Sequence, residues 1–315
     1  MREPLLVRAF QAPQVRAAVV SVVAGVGILV FKFTAYLLTG SVSILSDAAE
    51  SVVNVIAANV ALISLVVAVS PPDEGHPYGH GKAEYISGFT EGGLVILAGL
   101  YVLYAAVQRL LDPLPLRNLD IGLIVLAVAT AGNYLTARFL LRVSVEADSM
   151  ALEADAKHLL ADVLTTVGVF AGLGLVRLTG VLWLDPLVGI LVGLHILWLG
   201  TGVYRRALGG LMDTGLPPAE EAAIKAILDA HKDEIVEYHA FRARRAGARR
   251  FLDLHLVLHR TMTVGQSHAL TDRLEEHIET ELPDTDITIH VEPCGPTCAR
   301  CAAIEAGRMP SSRSS

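Results

Sequence analysis

Two sets of polar residues carry the chemistry open to this chain. Asp47, Glu50 and Asn54 are spaced i, i+3, i+7, and Asp155, His158 and Asp162 repeat that spacing far downstream, each set inside apolar sequence. On an α-helix these offsets fall on one face, so each set forms a stripe, and two facing stripes could grip one ion. Ionisable groups in hydrocarbon are costly, face a bundle interior or a wet cavity, and mark an ion pathway by default. A hydrogen-bonded structural knot between two helices is the competing reading, and it would bear that cost for packing alone. Four nitrogen and oxygen donors suit tetrahedral zinc, with cadmium, cobalt, nickel or iron also open, whereas magnesium and calcium prefer larger all-oxygen shells. The imidazole of His158 tips the balance toward a transition metal. Asp47 and Asp155 also suit a vestibule or a helix-end capping role.

Such stripes need membrane-crossing helices to hold them. Of 315 residues, 53% are hydrophobic and 18% charged, and the mean hydropathy is +0.51. Apolar runs long enough to cross about 30 Å of hydrocarbon, roughly 20 residues each, occur near 17–39, 43–69, 84–108, 120–142, 151–178 and 181–205. The expectation is an α-helical membrane protein with a six-helix transmembrane bundle over residues 1–207. The first run is too long, and its flanks too poor in small residues, for a cleaved signal peptide. An even number of spans puts both termini on one side. With the termini inside, the cytoplasm holds Arg2, Arg8, Arg16, Lys82, Arg138, Arg142, Arg205 and Arg206, and the outer loops hold mainly Arg109, Arg117 and Arg177. That positive-inside bias predicts a multi-pass protein of the inner (plasma) membrane with cytoplasmic N and C termini. At about 1.5 Å of rise per residue, both stripes then reach mid-membrane depth.

From about residue 208 the apolar runs shorten and charge rises, predicting a cytoplasmic α+β domain over 208–293. Pro217-Pro218-Ala219-Glu220-Glu221 opens a helix ending near His231, with proline and acid where a helix start tolerates them. In Phe251–His259 alternation puts Leu252, Leu254, Leu256 and Leu258 on one face, Asp253, His255 and His259 on the other. Ala246-Gly247-Ala248 is the expected hairpin turn. A helix over Val264–Leu282 and a strand over Asp286–Val291 complete an αββαβ, metallochaperone-like order. The net charge is −7, with much of the acid after the last span, which argues against nucleic acid as a partner. Residues 294–315 lose periodicity and read as a flexible tail. Its cysteines, Cys294, Cys298 and Cys301, lie in a reducing compartment and read as thiols or metal ligands in place of disulfides. Three thiolates can bind zinc or cadmium, with a nearby histidine completing the shell. Plain thiols of a flexible tail, or a role in metal sensing or delivery, fit as well.

Two further clusters have ligand chemistry. Asp73, His76 and His80 share a loop with Pro71, Pro72 and Gly75, and two imidazoles with one acid can hold zinc while leaving room for water. A solvated polar loop with turn-forming prolines and glycines is the alternative. In the α+β domain, His255 lies on the polar face of its strand, His268 is one turn before Asp272, and His290 and Glu292 share a face. His259, on the strand face of His255, is a candidate addition.

The run His76-Pro77-Tyr78-Gly79-His80-Gly81-Lys82-Ala83-Glu84, the six spans, the polar residues four apart on the second and fifth spans, and the αββαβ order resemble the cation diffusion facilitator family over about residues 15–293. The resemblance implies export of zinc and related divalent ions through a transport site of Glu50, Asn54, His158 and Asp162. It implies metal binding at the cytoplasmic face by Asp73, His76 and His80. It also implies a metal pair held between subunits by His239, His255, His268, His290 and Glu292, hence a homodimer. The family commonly has His or Asp where Glu50 stands and Asp where Asn54 stands, so this chain departs at both. The expected protein is a secondary active transporter in the lipid bilayer, with no enzymatic step, that exchanges a divalent metal, zinc first, for protons. The metal is then both substrate and regulatory ligand. A membrane-anchored metal sensor or scaffold without transport is the rival, and the paired stripes weigh against it. An intramembrane metallohydrolase would want His-Glu-x-x-His, and no such run exists.

Overall fold

The computed structural model describes residues 9–39, 42–111, 120–181, 183–296 and 298. Its apolar runs are six long helices: α1 Pro13–Thr39, α2 Val42–Ala68, α3 Ala83–Leu111, α4 Asp120–Glu146, α5 Met150–Thr179 and α6 Leu184–Leu211. Among the described residues, five of them are long and apolar enough to cross a membrane. The sixth, α5, carries Glu153, Asp155, Lys157, His158 and Asp162 in its first half. Large apolar side chains face outward along these helices, among them Leu37, Leu97, Tyr101, Leu135 and Trp198, as expected where lipid is the solvent.

Lipid tails supply no hydrophobic drive between helices, so close backbone approach through small residues has to hold them together. α1, α2, α4 and α5 meet around buried Ala17, Ala18, Ala137, Ala151 and Ala156, with Val15, Leu65, Leu140 and Leu152 filling the gaps. α3 and α6 pack antiparallel along a seam of glycines. A Cβ at Gly92 would lie 2.8 Å from the backbone nitrogen of Tyr204, and one at Gly200 would lie 3.0 Å from that of Ile96. Neither neighbour can yield without moving a helix. Glu84, from the histidine-bearing run, accepts from Ser149 Oγ at 2.6 Å and from the Ala151 N–H at 3.4 Å. The carboxylate thus satisfies the N-terminus of α5, where helix N–H groups lack intrahelical partners.

The chain divides into two compact units between Met212 and Asp213. The second runs α7 Pro218–Ala230, β1 Glu237–Ala246, β2 Arg249–Leu258, α8 Val264–Glu281 and β3 Thr285–Pro293, the αββαβ order expected. β2 is central, antiparallel to β1 and parallel to β3. Gly247, at φ 63°, makes the hairpin turn, a backbone conformation that glycine adopts at little cost. Leu252, Leu254, Leu256 and Leu258 are buried against Ile224, Leu228, Leu270, Leu274 and Ile278 of the two helices. α8 starts at a capping box in which Thr263 and Gln266 satisfy each other's backbone N–H groups. Glu220 joins Arg245 and Arg250 near the hairpin. Burial pushes its carboxyl up, but the two guanidinium groups outweigh that and hold it below the usual glutamate range.

Candidate metal site and neighbouring clusters

α2 and α5 bring the two stripes into contact. The Asn54 amide nitrogen donates to Asp162 Oδ2, and His158 Nε2 lies 3.0 Å from Asn54 Oδ1. His158 is buried, and Asn54 and Asp162 are half-buried. Thr165 and Thr166 donate to the Asp162 carbonyl at 2.7 and 3.0 Å, bonds that leave its carboxylate to face α2. Ser21, Ser51, Asn54, Asn133 and Thr136 share the wall of a small cavity beside the cluster with Ala24, Ile28, Ala58 and Leu159, so its lining is mixed. Glu50 lies one turn before Asn54 on α2 and Asp47 one turn earlier, and their side chains fall outside the described residues. Asp155 is buried and takes the Ser21 hydroxyl at 2.6 Å, so its carboxylate is aimed at α1. Glu91, buried on α3 with Ser87 donating to it at 2.9 Å, is a further acid inside an apolar run, and that placement is its signal in the sequence.

In the loop before α3, Asp73 Oδ1 accepts from the His76 backbone N–H at 2.6 Å and lies 3.1 Å from His76 Nδ1. Asp73 Oδ2 is 3.4 Å from His80 Nε2, and the two rings are 4.4 Å apart. One ligand atom from each residue falls within 4.8 Å of the others. The His76 backbone N–H, with the two histidines, holds the Asp73 carboxyl below its ordinary range. A depressed carboxyl loses its charge only as pH falls through that lowered value, so Asp73 stays an anionic donor over the ordinary carboxylate range.

The three-stranded sheet sets a row of histidines on the face opposite its leucines. His239 pairs with His255 across β1 and β2, and His255 with His290 across β2 and β3; ring centroids are 5.2 and 4.8 Å apart. Glu292 Oε1 lies 2.9 Å from His255 Nδ1 and 3.8 Å from His290 Nε2, and Oε2 lies 3.6 Å from His239 Nε2. A bulge makes this possible. The β1 register shifts between His239 and Arg242, with Ala240 at φ 50°, so Tyr238, Phe241 and Ala243 all reach the core while His239 stays on the outer face. His268 is not brought into this row: it is exposed on α8, 3.3 Å from Asp272, and α8 covers the leucine face. His259 does not join it either. It follows the end of β2 and is buried, grouped with Cys294 and Cys298, because a turn closed by Met262 N–H on its carbonyl at 2.9 Å ends the strand there. Cys301 lies outside the described residues.

Polar faces meeting inside a bundle of apolar helices, followed by a histidine-bearing α+β unit, define a membrane ion transporter. The sequence matches the cation efflux transmembrane domain over residues 18–212 and the cation efflux protein cytoplasmic domain over residues 216–294. A protein of Synechocystis sp. described as an uncharacterized transporter is 40% identical over 276 residues, which cover 88% of this chain and 89% of that one. The cation-efflux pump FieF of Klebsiella pneumoniae subsp. pneumoniae is 30% identical over 278 residues, 88% of this chain and 92% of the pump. FieF of Cronobacter sakazakii is 29% identical over 279 residues, 89% and 92% of the two chains. The chain belongs to the cation efflux family, the cation diffusion facilitators, and is a multi-pass membrane transporter of cations.

Proposed function

We propose that the protein is a homodimeric exporter of divalent transition-metal ions, zinc first, that exchanges each ion for protons across the plasma membrane with both termini in the cytoplasm. One observation carries this reading: Asn54 contacts both His158 and Asp162 across α2 and α5. With Glu50 one turn away, the four residues offer imidazole nitrogen, amide oxygen and carboxylate oxygens, a donor set suited to zinc and open to cadmium, cobalt, nickel and iron. Binding requires ionised carboxylates and an unprotonated imidazole nitrogen, so loading releases protons, and reprotonation from the outer side favours release. Asp73, His76 and His80 serve as an exposed, fast-exchanging cytoplasmic site. Flux into proteoliposomes under an imposed pH gradient, with zinc, cadmium, cobalt, nickel, iron and manganese compared, is expected to show gradient-driven metal movement with zinc foremost. Metal binding without any flux would leave a membrane-anchored sensor or scaffold.

The histidine face of the α+β unit supports a regulatory role. His239, His255, His290 and Glu292 offer ligands from one subunit, and His268, presented on the other layer, suits a ligand given to a neighbouring subunit. Filling this site would bias the transport equilibrium by differential binding to its two states. His255→Ala and His290→Ala are each expected to weaken zinc binding at this face and to move half-maximal activation to higher zinc, leaving residual transport. Calorimetric titration alongside flux measures both, and unchanged binding in the double variant would remove the cluster from regulation.

A further inference from the structure

We propose that His259, Cys294 and Cys298 form a thiolate–imidazole site for zinc or cadmium that clasps the chain beyond β3 to the end of the sheet. This goes beyond the transport reading and does not depend on it. The sheet itself builds the site. Leu258 and Pro293 are the last register partners of the parallel β2–β3 pair, so His259 and Cys294 leave the sheet side by side. Cys294 N–H donates to the Leu258 carbonyl at 2.8 Å, and a turn closed by Cys298 N–H on the Gly295 carbonyl at 3.1 Å brings the second cysteine back. One ligand atom from each of the three residues lies within 4.8 Å of the others. Zinc bonded at about 2.3 Å to sulfur and 2.0–2.1 Å to nitrogen sets tetrahedral ligands about 3.5–3.8 Å apart. Closure by no more than about 1 Å therefore brings the three donors to ligand spacing, with the fourth position left to solvent.

The chemistry of the cluster differs from that of every other group of ligands described above. Those offer nitrogen and oxygen, whereas two sulfurs and one nitrogen select soft and borderline ions such as zinc and cadmium over manganese or magnesium. His259 and Cys294 are buried, 7% and 6% exposed, and Cys298 is half-buried, so an ion would exchange through the Cys298 side. Binding displaces the thiol protons to solvent as two metal–sulfur bonds form.

The test uses full-length, reduced, metal-free protein in detergent, titrated with cobalt(II) as the probe. The expected result is a sulfur-to-cobalt charge-transfer band that zinc or cadmium displaces, and its loss in Cys294→Ser. Cys298→Ser, at the more exposed ligand and so safe for folding, reduces the band to that of a site with one thiolate fewer. Changing His255 and His290 together leaves the band in place. Absence of the band from the reduced wild-type protein, its persistence at full strength in Cys298→Ser, or a Cys294–Cys298 disulfide surviving reduction would overturn the proposal.

Discussion

Asp162→Ala is expected to abolish metal flux while leaving the protein folded and dimeric. The carboxylate is the acceptor for Asn54 and the one acidic group in the Asn54–His158–Asp162 contact that we propose as the transport site. Loss of an outer-shell partner alone commonly costs about 10–100-fold in metal affinity, so removal of a ligand is expected to lower flux at least about 100-fold. Folding should survive, because a carboxylate inside apolar helices carries a desolvation penalty that alanine lacks, and the Thr165 and Thr166 hydroxyls bond the backbone carbonyl, which alanine retains. Proteoliposome flux with size-exclusion profiles of the same preparations checks both halves. Wild-type flux from a well-folded variant would remove Asp162 from the transport site.

Asn54→Asp is expected to raise manganese or iron transport relative to zinc. An amide donates with its nitrogen and accepts with its oxygen, and here it does both, bridging Asp162 and His158. Aspartate accepts only, so the variant sets two carboxylates against each other and relieves their repulsion by taking up a proton or a cation. One more hard oxygen donor favours harder ions, whereas zinc, already served by His158, changes less. The ratio of manganese to zinc flux at equal reconstitution measures this, and an unchanged ratio would place Asn54 outside the ion's direct ligands.

What the sequence made legible was periodicity. Leu252 to Leu258 alternate and are buried on one face; the long apolar runs are helices; the offsets 47, 50, 54 and 155, 158, 162 mark stripes on α2 and α5. What stayed hidden depended on contacts that no local pattern encodes. The bulge after His239 resets which side chains of β1 face the core, and a strict period of two does not anticipate it. Spacing within a helix does not say which layer His268 occupies, and α8 lies over the leucine face, away from the row of His239, His255 and His290. His259 shared a strand face with His255 only on the assumption that the strand continues, and it ends one residue earlier. The meeting of His259 with Cys294 follows from the parallel pairing of β2 with β3, a long-range register.

The glycine seam between α3 and α6 bears on how the bundle moves. With Gly92 against the backbone of Tyr204 and Gly200 against that of Ile96, turning either helix by one residue, about 100°, would drive a side chain into the partner's main chain. Axial rotation of α3 against α6 is therefore sterically opposed, whereas α2 and α5 meet at Asn54, His158 and Asp162 through side chains, which can change rotamer.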